Sequence, residues 1–75
     1  MSKADKRLER QLDHLAVLGD PVRRALYLHV SSRSDEVSRD QAARALRISR
    51  ALAAFHLDKL VEAGLLETSF RRLSG

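Results

Sequence analysis

Two stretches that both read as helices are separated by only three residues, Arg47, Ile48 and Ser49. The first, "RDQAARAL", follows Ser38, whose hydroxyl can accept a bond from a free first-turn amide. Gln41, three positions on, can return a bond to the Ser38 amide, the reciprocal pair of a capping box. The second begins after Ser49, again a capping residue, and keeps a helical pattern from Arg50 to Ala63 until Gly64 stops it. Helices joined by so short a link have no room to reverse and lie antiparallel. They must cross steeply, which predicts a helix-turn-helix.

Two more helices are expected ahead of this unit. In "DKRLERQLDHLAVLG" the leucines at 8, 12, 15 and 18 form one stripe, and Gly19 is placed to end the helix. Asp20 and Pro21 then read as an N-cap and a first-turn proline. They open a helix on which Val22, Ala25, Leu26, His29 and Val30 share a face, before the polar loop "SSRSDE". After Gly64 the period changes to two: Leu66, Thr68 and Phe70 alternate with Leu65, Glu67 and Ser69, which predicts a strand, and "RRLSG" reads as the start of a turn. A lone strand needs a partner. A short one is available around Val37, and the returning strand of a hairpin would lie beyond Gly75.

A chain of 75 residues makes at most one domain and buries about 60% of its unfolded surface, which leaves no room for a deep substrate cleft. With three aromatics and one proline, the core must be built mainly from Leu, Val, Ile and Ala. The absence of cysteine excludes disulfides, thiolate metal sites and cysteine nucleophiles, and fits a reducing cytoplasm. No apolar run has the length of a membrane span, and the charged start lacks the apolar stretch of a signal peptide. The expected location is cytoplasmic. The formal charge of +4 is concentrated in residues 38–59, which carry five basic and two acidic side chains. Charge gathered in this way suits a polyanion or, equally, a solvated helix face.

The stretches "LGDPVRRALYLHV", "SRDQAARALRIS" and "RALAAFHLDKLVEAGLLE" resemble, in that order, the first core helix, the second helix with its turn, and the recognition helix with first wing strand of winged helix-turn-helix transcriptional regulators close to the ArsR type. The resemblance runs from about Leu15 to the end. It implies a mainly α fold: a three-helix core, an N-terminal helix and a short C-terminal β wing left incomplete. It also implies a function, sequence-specific binding of double-stranded DNA by a bacterial-type transcriptional regulator. The chain departs from the family in carrying Arg47 where the turn often has glycine, in lacking the cysteines of metal-sensing members, and in the shortened wing. A residue with a Cβ costs about 1 kcal/mol if position 47 is left-handed.

On a helix of 100° per residue, Ala53, Leu57, Leu60, Val61 and Gly64 fall within one arc, with His56 at its edge, while Ala51, Phe55, Asp58, Lys59 and Glu62 lie opposite. The recognition helix, 50–63, is expected in the major groove. Arg50 stands at its head, where a guanidinium can bind guanine O6 and N7 or simply meet a phosphate. Ala51 and Ala54 permit close approach. Phe55 can pack on thymine methyls or on a protein neighbour. Arg39, Arg47, Ser49, Lys59, Arg71 and Arg72 are the candidate phosphate contacts, Ser49 also being a plain helix cap.

Residues 1–19 are assigned to an N-terminal helix that either builds a homodimer or covers the core, and residues 20–75 to the DNA-binding domain with a truncated wing. His14, His29 and His56 lack the spacing of a local metal site, and no nucleophile elbow or phosphate loop is present. No cofactor, metal, catalytic residue or small-molecule site is expected. The rival reading is a winged-helix protein-interaction module anchored by Leu52 and Phe55.

Overall fold

The three expected N-caps all form. In the computed structural model, which describes residues 3–72 and their side chains from residue 5 onward, Asp20, Ser38 and Ser49 accept bonds from Arg23, Gln41 and Leu52 amides at 3.0 Å each. Gln41 returns its bond to the Ser38 amide at 2.9 Å, completing the capping box. These caps open α2 (Pro21–Ser31), α3 (Arg39–Leu46) and α4 (Arg50–Glu62), and α1 (Lys3–Val17) precedes them. The fold is mainly α and of helix-turn-helix type.

The α3 and α4 helices end in the same way. Ile48 donates to Ala43 O at 3.0 Å and Leu65 to Leu60 O at 3.0 Å, bonds that reach back five residues across a left-handed residue and satisfy carbonyls the helix leaves open. In α4 that residue is Gly64, φ 76°. In α3 it is Arg47, φ 56° and ψ 45°. The backbone at 47 thus takes the conformation glycine suits best, with an arginine in its place. Gly19, expected to serve α1 in this role, is not among the left-handed residues; a Cβ there would come within 3.2 Å of Ala16 O. Its small size, rather than its freedom, closes that end.

The core gathers Leu26 and Val30 of α2, Val37 of the loop, Ala42 of α3, Leu57 and Leu60 of α4, and Leu66 and Phe70 beyond. Each fully buried leucine contributes about 1.5–3 kcal/mol relative to exposure. Val22 and Val61 pack against this cluster, while Ala25, expected inside, is exposed. The α2–α4 and α3–α4 contacts dominate, whereas α1 touches the other helices sparsely. Its last residue, Val17, and the following Leu18 pack against the core, but Leu8, Leu12 and Leu15 are exposed, Leu15 at 68%. Near its end α1 is held by a bond from His14 Nε2 to Ala63 O at 3.0 Å.

The strand expected over residues 65–70 does not form; among the described residues there is only an isolated antiparallel bridge between Leu66 and Arg72. The chain satisfies its backbone locally instead. Phe70 N–H donates to Glu67 O at 2.8 Å and Glu67 N–H to Arg71 O at 3.0 Å, a tight turn braced by the Arg71–Glu67 ion pair at 2.6 Å. Phe70 reaches the core through a left-handed backbone, φ 55°, rather than through alternation. Val37, offered as a strand partner, makes one bond there, its amide to Phe70 O at 3.1 Å. The turn expected over residues 71–75 lies, past Arg72, outside the described residues.

Candidate nucleic-acid interface

Burial divides α4 along its length. Ala53, His56, Leu57 and Leu60 are buried, and Arg50, Ala51, Leu52, Phe55, Asp58, Lys59 and Glu62 are exposed, with Ala54 half-buried. Phe55 is 52% exposed and Leu52 40%. The Phe55 and His56 rings meet edge to face, centroids 5.2 Å apart, and Lys59 Nζ lies 5.6 Å from the Phe55 centroid. Gly64, expected on the core arc, is exposed and ends the helix.

His56, placed by its spacing at the edge of the core, is instead buried in a polar network. Arg23 Nε donates to its Nδ1 at 3.1 Å, which leaves the ring proton on Nε2, 3.9 Å from Asp20 Oδ1. Arg23 also donates through Nη1 to Val17 O at 3.3 Å. The middle of α4 is thus tied to the N-terminal end of α2 and the last turn of α1. The Asp20 carboxylate is held below the usual carboxylate range, first by the Arg23 amide it caps, and also by the Val22 amide and the Arg23 charge, against the cost of its partial desolvation. A carboxylate with a lowered folded-state pKa stabilises the fold above the ordinary carboxylate pKa, and that contribution is lost as pH falls through the folded value. Asp20→Asn, which keeps the cap acceptor but does not titrate, is expected to flatten this acid limb in urea unfolding measured from pH 6 down to 2. An unchanged limb would contradict the assignment.

Most of the expected cations are engaged within the chain. Arg50 Nε lies 2.8 Å from Asp40 Oδ1, Arg39 Nη2 lies 3.7 Å from Asp58 Oδ1, and Lys59 Nζ lies 3.5 Å from Glu62 Oε2. Arg39 is further held with its guanidinium 4.7 Å from the Phe70 ring centroid. Arg71 is bound to Glu67, whose hydrogen bond is the main reason its pKa rises. Arg47 and Arg72 are exposed and have no ion-pair partner among the described residues. The Ser49 hydroxyl is occupied by its cap to Leu52.

Arg39, Asp40, Gln41 and Arg50 share an open notch of about 430 Å³ with Thr68, Ser69 and Phe70. The heads of α3 and α4 and the 67–71 turn therefore form one surface. Lys59, two turns along α4, makes its contacts with Phe55 and Glu62 instead. Spacing along the chain pointed to the arginines but not to Asp40 or Asp58, because the pairing depends on how α3 crosses α4. Among the described residues no group of three or more His, Asp or Glu side chains is placed to hold a metal ion, and no helix is long and apolar enough to cross a membrane.

Two helices packed on one another, joined by a left-handed residue and a cap, and with the second helix open along one face, define a helix-turn-helix domain. The sequence model of a family described as "Helix-turn-helix domain" matches residues 18–69, most of the chain, and the chain belongs to that family. No curated protein and no solved structure matches it.

Proposed function

We propose that this chain binds double-stranded DNA as the sequence-specific reading domain of a bacterial-type transcriptional regulator of ArsR-like kind, with α4 in the major groove. The observation that carries this reading is the open face of α4. Its far side is buried against α2 and α3, while Arg50, Ala51 and Phe55 are exposed from its head to its middle and Ala54 is half-buried beside them. These four are the proposed base contacts; the small alanines permit the close approach a groove-bound helix requires. Arg39, Arg47, Ser49, Lys59, Arg71 and Arg72 are the proposed phosphate contacts, with Arg39, Lys59 and Arg71 exchanging an internal carboxylate for DNA on binding. Residues 20–75 form the reading domain, and residues 1–19 the element that pairs two copies. The exposed Leu8, Leu12 and Leu15 supply an apolar stripe for that pairing, and a two-fold dimer would read half-sites about 34 Å apart. The proposed role is non-enzymatic and its setting the cytoplasm.

Salt titration tests the reading. With four or five phosphate contacts, log K for a mixed duplex should fall against log salt with a slope of about −4, and the Arg47→Ala, Arg50→Ala double variant should weaken binding and bring the slope to about −3. Undetectable affinity for duplex at low salt would reject DNA binding. The exposure of Leu52 and Phe55, three residues apart on α4, favours a second reading, a protein-interaction module. Phe55→Ala would then abolish a protein complex while leaving weak DNA affinity unchanged.

A further inference from the structure

Asp40 is a carboxylate inside the most basic segment of the chain, in the first turn of α3, and it holds the guanidinium at the head of α4. Resting on the DNA-binding reading above, we propose that Asp40 is a positioning residue: by fixing Arg50 through Nε, it commits the two terminal nitrogens of Arg50 to recognition of guanine.

The ion pair brings Arg50 Nε to 2.8 Å from Asp40 Oδ1, and neither terminal nitrogen of Arg50 makes a hydrogen bond among the described residues. A guanidinium anchored in this way retains a fork of parallel donors. Guanine presents two acceptors to the major groove, O6 and N7, which such a fork matches. Adenine presents N7 beside a donor amino group, which opposes it. An unanchored arginine would swing between bases and phosphates, and its ordering would weigh against binding each time.

Asp40 favours the start of α3, as an acidic group in a first turn does, but its pairing with Arg50 adds little to stability. The pair is exposed, 66% at Arg50 and 61% at Asp40, and ion pairs in such surroundings contribute little. Against a polyanion the carboxylate is unfavourable, since it cancels one positive charge beside Arg39 and Arg50. That cost falls on every duplex alike, whereas the gain in orientation is realised only at a matching base. Asp40 thereby widens the gap between specific and non-specific binding. Arg39 is held differently, by the Phe70 ring as well as by Asp58, with the longer ion pair of 3.7 Å.

The experiment enriches duplexes from a randomised pool on the unmodified chain, then measures anisotropy titrations with all four bases at each enriched position. One position should prefer guanine by about tenfold or more. Asp40→Ala should reduce that preference to below about threefold, tighten binding to an unrelated duplex, and steepen the salt slope by about one. In an Arg50→Ala background, Asp40→Ala should change no base preference, because its effect passes through Arg50. Asp40→Asn, which keeps the shape and loses the charge, guards against a local folding defect, and circular dichroism confirms helix content. Guanine preference that survives Asp40→Ala and Asp40→Asn, or that changes equally without Arg50, overturns the proposal while leaving DNA binding intact. Duplex binding with no enriched sequence removes base recognition and the proposal together. Failure of the unmodified chain to bind any duplex at low salt rejects the functional reading itself.

Discussion

Replacing Leu57 by alanine is expected to lower the unfolding free energy by about 2–5 kcal/mol. Leu57 is fully buried at the centre of a cluster drawn from α2, α3, α4 and the residues after α4, so its truncation removes contacts from all of them at once. A domain of this length has in total about 4–11 kcal/mol of stability, so the variant should lie close to its unfolding threshold at room temperature. Urea titration followed by circular dichroism measures the change, with the slope unaltered if the transition remains two-state. Leu15→Ala is the matched comparison. That leucine is 68% exposed on α1, and its truncation should change stability by no more than about 0.5 kcal/mol. Equal losses at the two positions would mean that α1 belongs to the cooperative core, contrary to its sparse packing.

Arg47→Gly is expected to act in the opposite direction. Arg47 has φ 56° and ψ 45°, where a Cβ is disfavoured by about 1 kcal/mol, and glycine at that point should raise the melting temperature by about 4–8 °C. The same change removes an exposed cation without an ion-pair partner from the turn, so affinity for duplex DNA should fall, with the salt slope shallower by about one. Arg47→Ala separates the two effects, since it loses the charge and keeps the strained backbone. It should bind as weakly as the glycine variant without the gain in stability. A glycine variant no more stable than the parent would show that the left-handed turn carries no strain at this position. If both predictions hold, the arginine is retained at the expense of the turn, the trade expected where a strained residue has work beyond folding.

The parts of the fold readable in the sequence are those fixed by local chemistry. Asp20, Ser38 and Ser49 cap helices because an amide two or three residues on has no other partner, and the short link from Arg47 to Ser49 forces the crossing. The core side of α4 was legible in Ala53, Leu57 and Leu60, since one helical period is enough to collect them. His56 was not, because its burial depends on Arg23, 33 residues away in the chain. The segment after Gly64 reads as a strand because alternation of Leu66, Thr68 and Phe70 is a period-two signal. A left-handed Phe70 achieves the same burial through a turn, and periodicity alone cannot distinguish the two.

For the candidate interface the difference is of the same kind. The exposed side of α4 and the cations around it follow from composition and helical spacing. Their carboxylate partners do not. Asp40 and Arg50 are ten positions apart on different helices, and Arg39 finds both Asp58 and Phe70 across gaps longer still. These meetings exist only once α3 and α4 have crossed.

The Arg23–His56 bond grips α4 at mid-length, and the His14–Ala63 bond grips its far end. A helix clamped at two points cannot roll about its own axis without breaking one of them, so its outward face keeps a fixed bearing relative to α1 and α2. Whatever meets that face meets a finished shape. The search for a match must then be made by the whole body of the protein, through its approach and rotation, rather than by the helix adjusting after contact.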